Sequence, residues 1–242
     1  MSQPLIDILH LKKHYPRRNG LFNKSKEQVQ AVDGVNLQIF PGETVALVGE
    51  SGSGKTTLAQ CLFRITKPTA GDIRFQGEEV WTLPKKDLPR FRRQAQLIFQ
   101  DADAALNPRL SVGRVIAEPL IAHRLMEKKK AHQRAAELLH QVGLGEHYFS
   151  ALPGELSCGQ RHRVVIARAL ALQPKFLAAD EPFSSLDVLA KSRLLDLFVA
   201  LQKQFNLTYF FISHDLALVN QICHRIFVMR QGKIVDVQTG PP

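Results

Sequence analysis

Little cysteine and no long apolar run occur in this chain, and both shortages narrow what it does. Its three cysteines, Cys61, Cys158 and Cys223, are far apart and odd in number, so neither a disulfide framework nor a CxxC metal or redox site is indicated. The nine histidines show no ligand spacing, which leaves a metal held jointly with a nucleotide as the only metal reading. No stretch approaches the roughly 18 apolar residues that cross a bilayer. The opening "MSQPLIDILHLKKHYP" lacks a basic segment followed by a sustained apolar one, so no secretory leader is indicated. These gaps predict a soluble, cytoplasmic chain. Acidic residues are also short relative to basic ones, giving a formal charge of +10. That balance suits a nucleic-acid binder, an ATP binder or a protein working against an anionic leaflet. The basic runs "FRR" and "KKK" come without a nucleic-acid signature, and read as solvated helix faces.

What is present is enough chain, 242 residues with 45% hydrophobic content, for one large domain and an inserted subdomain. Short apolar runs recur: "LIDILHL", "VNLQIF", "TVALVG", "DIRFQG", "AQLIFQ", "KFLAAD", "LTYFFIS" and "RIFVMRQGKIVDV". They read as strands. The near-continuous apolarity of "TVALV", "FLAA" and "YFFIS" is what parallel strands buried on both faces require, so the core is α/β. Residues 101–165 carry helical periodicity with no convincing strand and read as a helical insertion. The polar segment 16–30, with Pro, Gly and Asn, reads as a surface loop.

The sharpest motif is "GESGSGKTT". It fits G-x-x-x-x-G-K-[ST], follows an apolar strand and opens a helical pattern, the context the motif demands. Its residues Gly49, Glu50, Ser51, Gly52, Ser53, Gly54, Lys55, Thr56 and Thr57 form a candidate phosphate cradle, with inward backbone amides at a helix N-terminus. Lys55 is the candidate for the β/γ phosphates and Thr56 for Mg²⁺.

"FLAADEP" ends a strand with two acids. Asp180 suits orienting Mg²⁺ and Glu181 suits polarising an attacking water; a turn and N-cap is the bland account of such a pair, and the phosphate loop upstream makes it the minority one. Gln100 is read as ending the strand "QLIFQ", where its amide is placed to touch Mg²⁺ or the lytic water. His214, after "YFFIS", is placed to emerge at the strand ends where open parallel sheets hold ligands. Tyr15 suits stacking on an adenine ring, and equally a surface aromatic beside Pro16.

Taken in order, Tyr15, "GESGSGKTT", Gln100, "LSCGQ", "FLAADE", "SSLD" and His214 resemble the ATP-binding-cassette (ABC) ATPases over almost the whole chain. The resemblance implies one ATPase domain over 1–242: a P-loop NTPase, RecA-like core, an antiparallel β subdomain and the α-helical subdomain at about 101–165. It implies ATP and Mg²⁺ as ligands, and two cassettes closing head to tail on each ATP. Ser157 and the Gly159 backbone would then meet the partner's γ-phosphate, with Gln160 supporting the contact and Asp187 closing the D-loop. The family usually has glycine where this chain has Cys158. A Cβ there either crowds the phosphate or sits in an ordinary helical entry. "LNPRLSVGRVIAEPL" and the long "LSCGQRHRVVIARALALQPKFLAADEPFSSLDV" are similar to the second ATPase subunit of oligopeptide, dipeptide and nickel importers. That likeness implies a second ATPase chain, two membrane permeases, an extracytoplasmic binding protein, and a place on the cytoplasmic face of the inner membrane. The helical insertion would dock the permeases. A cassette acting on nucleic acid or ribosomes, or a low-activity regulatory cassette, are the rival readings.

Overall fold

The computed structural model describes residues 3–16 and 28–240, the side chain of Asp103 excepted. Most of the segment expected to be a surface loop therefore lies outside the described residues. In chain order the strands are β1 (Ile6–Pro16), β2 (Gln28–Ile39), β3 (Thr44–Val48), β4 (Ala70–Phe75), β5 (Glu78–Glu79), β6 (Ala95–Ile98), β7 (Phe176–Asp180), β8 (Thr208–Ser213), β9 (Arg225–Arg230) and β10 (Lys233–Thr239). The helices are α1 (Lys55–Leu62), α2 (Leu88–Gln94), α3 (Ala102–Ala105), α4 (Val112–Ala122), α5 (Lys128–Gln141), α6 (Cys158–Leu170), α7 (Val188–Phe205) and α8 (Leu216–Val219). Two compact units emerge, Met1–Leu88 with Phe210–Pro242, and Pro89–Tyr209.

In the first unit an antiparallel sheet runs β2-β1-β4-β5. Ile6, Ile8, Leu11, Val32, Ile39 and Ile73 are fully buried, as expected of alternating strands with one face on a core. β1 loses its regular register between Leu9 and Lys12 against β4, and again between Lys13 and His14 against β2. Such bulges bend a strand and re-aim its side chains. β3 pairs with β9 in parallel, and every β3 residue is buried, which accounts for the unbroken apolarity of "TVALV". The sequence run "RIFVMRQGKIVDV" resolves into two antiparallel strands. Gln231 and Gly232 take φ 48° and 81°, the left-handed pair that a tight hairpin turn uses.

The second unit pairs β6 and β7 in parallel and carries α3 to α7. Its helices α4, α5 and α6 have buried stripes at helical spacing, Val112, Val115, Ile116 and Leu120 in α4 and Ala131, Ala135, Leu138 and Leu139 in α5, so each gives one apolar face to a shared interior. α6 extends to Leu170, five residues past the 165 boundary expected of the helical insertion. Among the described residues no helix is long and apolar enough to cross a membrane. Cys61 and Cys223 are buried, and burial pushes their thiols up to about 11 and about 12, the behaviour of inert core cysteines.

Candidate functional site

In the first unit the loop 49–57 leaves the buried end of β3 and enters α1. Gly54 sits at φ 109°, and a Cβ built there would lie 1.9 Å from the Ala31 carbonyl oxygen. A Cβ on Gly49 would lie 2.2 Å from the Met229 carbonyl oxygen. The loop is thus pressed against the strands on either side, and only glycine permits the approach. The Gly232 amide of the β9–β10 turn donates to the Ser53 carbonyl at 2.9 Å. The hairpin therefore pins the loop, a support that no motif in the sequence marks.

Lys55 is 7% exposed, and its ammonium donates to the Gly49 and Glu50 carbonyls at 2.7 and 2.9 Å. A buried ammonium held against the loop at the N-terminus of α1 is what the phosphates of a nucleotide call for. Ser53 Oγ is buried and meets no hydrogen-bond partner among the described residues, while the space beyond Gly52 is open. Thr56 is exposed in the first turn of α1. An orphaned hydroxyl, a buried cation, an open glycine face and a helix N-terminus together fit a polyphosphate, with Thr56 available to its Mg²⁺. Tyr15, near the end of β1, is half-buried, and His214 is exposed just past β8. Both belong to this unit.

The second unit holds the remaining predicted residues. β6 stops at Ile98, so Gln100 lies exposed beyond the strand rather than at its last position. Phe99 at 51% exposure marks the same change: once pairing with β7 ends at Ile98 and Ala179, neither side chain has a sheet face to join. Asp180 ends the fully buried β7 and is itself buried. Glu181, next along, has φ 49°, an uncommon conformation for a residue with a Cβ and a mark of local strain. Its carbonyl accepts from Ser184 N and Oγ at 3.2 and 3.0 Å, which holds the turn. Phe183 anchors it, packing edge-on against Phe198, which packs edge-on against Tyr209.

Ser157 caps α6. Its hydroxyl accepts from Gln160 N at 3.3 Å while Gln160 Oε1 accepts from Ser157 N at 2.8 Å, a capping box. Gln160 Nε2 then donates to the Tyr148 hydroxyl at 2.7 Å, so Tyr148 holds the loop from outside it. Tyr148 escaped sequence reasoning, since the contact joins residues 12 apart through a turn with no motif. Gly159 has open space at its Cβ position.

Cys158 is the first residue of α6 and is not among the positive-φ residues. The backbone at Cys158 is therefore that of an ordinary helical entry, without the strained φ a glycine would be needed for. Its thiol lies 3.4 Å from Ser185 Oγ, which brings the start of α6 onto the "SSLD" turn. Asp187 caps α7, accepting from Ala190 N at 2.8 Å. Ser157, Gly159, Gln160, Tyr148 and Asp187 line one cavity of about 540 Å³.

Ser157→Ala removes the cap and is expected to cost about 1 kcal/mol, a fall of roughly 2–4 °C in calorimetric melting temperature for a chain of this size. An unchanged melting temperature would deny the hydroxyl its capping role. Among the described residues no group of three or more His, Cys, Asp or Glu side chains is placed to hold a metal ion.

The profile described as "ABC transporter" matches residues 32–184. The chain is similar to the glutathione import ATP-binding protein GsiA of Pectobacterium atrosepticum, 44% identical over 240 residues, covering 99% of this chain and 38% of that protein. The same figures hold for the GsiA of Escherichia coli K12. The chain thus spans well under half the length of these relatives. Among solved structures it is similar to a dimeric ATP-binding cassette in a post-hydrolysis state with ADP and Pi bound, with TM-score 0.84 and 28% identity over 98% of this chain and 99% of that one. A cassette from Clostridium perfringens, part of an ABC transporter complex, matches with TM-score 0.84 and 28% identity over 98% of this chain and 89% of that one. These likenesses bear out the α/β fold of a P-loop NTPase.

Proposed function

This chain belongs to the ABC transporter family, and from that membership we propose that it is an ATP-hydrolysing subunit powering import of a peptide or nickel across the cytoplasmic membrane. The observation that carries ATP use is the P-loop itself: a buried Lys55 whose ammonium turns back onto its own loop, beside an orphaned Ser53 hydroxyl. Import is supported by the 44% identity to glutathione import proteins. Glutathione is a tripeptide, which favours a peptide-like cargo over nickel.

In this reading Lys55 and the backbone amides of 49–57 hold the β and γ phosphates, and Thr56, Asp180 and Gln100 are the residues for Mg²⁺. The metal, when bound, neutralises phosphate charge. Glu181 accepts the proton of the attacking water. His214 braces the γ-phosphate, and Tyr15 stacks on the adenine. Ser157, the Gly159 amide and Gln160 receive the nucleotide held by a second cassette, with Asp187 at the seam, so a closed pair shelters ATP from solvent. Both Val188 and Leu189, directly after Asp187, are exposed, at 86% and 60%, as suits a surface that a second cassette covers.

A groove of about 470 Å³ in the second unit is lined by Phe99, Glu118, His123 and Arg168 among others, and is the place we assign to a permease helix. The protein would then sit peripherally on the inner face of the membrane, fed by an extracytoplasmic binding protein. The test is purification from native membranes with mild detergent. Co-purification of two permeases and a second ATPase, with Mg²⁺-dependent phosphate release from ATP, is the expected result. Recovery with RNA or DNA in a salt-sensitive complex, without any permease, would overturn it in favour of the nucleic-acid reading.

A further inference from the structure

Two positions before Tyr15 on β1 stands Lys13. Its ammonium lies 4.8 Å from the Tyr15 ring centroid. At that distance a cation is attracted to the electron-rich face of a phenol ring. The ammonium is also tethered, donating to the Lys67 carbonyl at 2.8 Å. Lys67 lies in the connection between α1 and β4, so the tether reaches the segment that follows the P-loop helix.

Two further bonds fasten the same stretch. Thr69 N donates to the Lys12 carbonyl at 2.7 Å, and His14 N donates to Thr69 Oγ1 at 3.0 Å. The register shift between Lys13 and His14 falls inside this fastened stretch, where a bulge re-aims side chains. Tyr15 is thereby set relative to the phosphate loop by contacts that converge on residues 67–69, and Lys13 brings a cation to the ring.

We propose that Lys13 is a positioning residue for the nucleotide base. Its ammonium covers one face of Tyr15 and fixes the ring plane, so that the adenine stacks on the opposite face at a set distance from the P-loop. The inference rests on Tyr15 being the adenine platform.

The test uses the full chain assembled with its partners and compares Lys13→Met, Lys13→Arg and Tyr15→Ala. Steady-state ATP hydrolysis is measured, together with equilibrium binding of ATP and of inorganic tripolyphosphate, which carries the charges and no base. Lys13→Met is expected to raise KM for ATP about fivefold, with kcat and tripolyphosphate affinity unchanged. Lys13→Arg, which keeps a cation over the ring, is expected to restore KM. If Tyr15→Ala raises KM and Lys13→Met does not, the platform stands and the role of Lys13 falls. If neither changes KM, the platform reading falls and takes the role of Lys13 with it. An equal loss of tripolyphosphate affinity in Lys13→Met would show a general charge effect on phosphate and overturn positioning of the base.

Discussion

Glu181→Gln is expected to lower ATP turnover by about 10²–10⁴-fold while nucleotide affinity is retained. An amide keeps the shape and hydrogen-bonding reach of the carboxylate but cannot take a proton from water. The backbone that carries it is set independently of the side chain's charge, by the left-handed φ of 49° and by the two bonds from Ser184 to its carbonyl. The substitution therefore removes chemistry and leaves scaffolding, and the residues proposed to hold the phosphates, Lys55 and the amides of 49–57, are unchanged by it. With hydrolysis blocked, ATP-bound chains are expected to accumulate as closed pairs, visible as a shift in size-exclusion elution. Steady-state phosphate release and equilibrium nucleotide binding check the two halves separately. Turnover at the unsubstituted rate would strip Glu181 of the role of base.

Gly54→Ala carries the other large effect, and its cause is steric rather than chemical. At φ 109° a side chain is strained whatever the space, and here the added Cβ would sit 1.9 Å from the Ala31 carbonyl oxygen and 2.9 Å from the Met229 side chain. The methionine can give way; the Ala31 carbonyl is held between Gln30 and Val32, which pair with His14 and Lys13 of β1, so it moves only with the sheet. The loop must shift instead, and Lys55, the next residue, moves with it. Destabilisation on the order of 3 kcal/mol is expected, seen as a melting-temperature fall of roughly 6–12 °C, together with loss of ATP binding. Gly52→Ala is the internal control. Its φ of 78° is also left-handed but the space around it is open, so only the backbone cost of about 1–2 kcal/mol applies. Equal melting temperatures for the two variants would show that the contact with Ala31 does not govern the loop.

The candidate site was legible in the sequence to the extent that it is written in short spacings. Gly49 to Thr57 declare a phosphate loop because the glycines, the lysine and the hydroxyl must follow one another along nine residues of backbone, after a strand and before a helix. Asp180 at the end of an apolar run, and Ser157 three residues before Gln160, are legible for the same reason. Gln100 was less so. An apolar run does not say where pairing stops, and pairing stopped at Ile98. The hairpin within "RIFVMRQGKIVDV" depends on two residues taking positive φ, one of them Gln231, which no turn rule singles out.

Composition and periodicity by themselves determined the α/β class, and the separate motifs pointed to a nucleotide site and to kinship with cassette ATPases, because each run and each motif is a matter of residues near one another in the chain. Tertiary structure alone decided what holds those residues in place. Gly232 on Ser53, Tyr148 on Gln160, Ser185 on Cys158 and Lys67 on Lys13 are contacts made by packing distant or unmarked segments against the motif. Their partners are ordinary residues whose identity carries no signal until the chain has brought them within hydrogen-bond reach. Cys158 is the plainest case, since only packing brought Ser185 Oγ, 27 residues on, to 3.4 Å from its thiol.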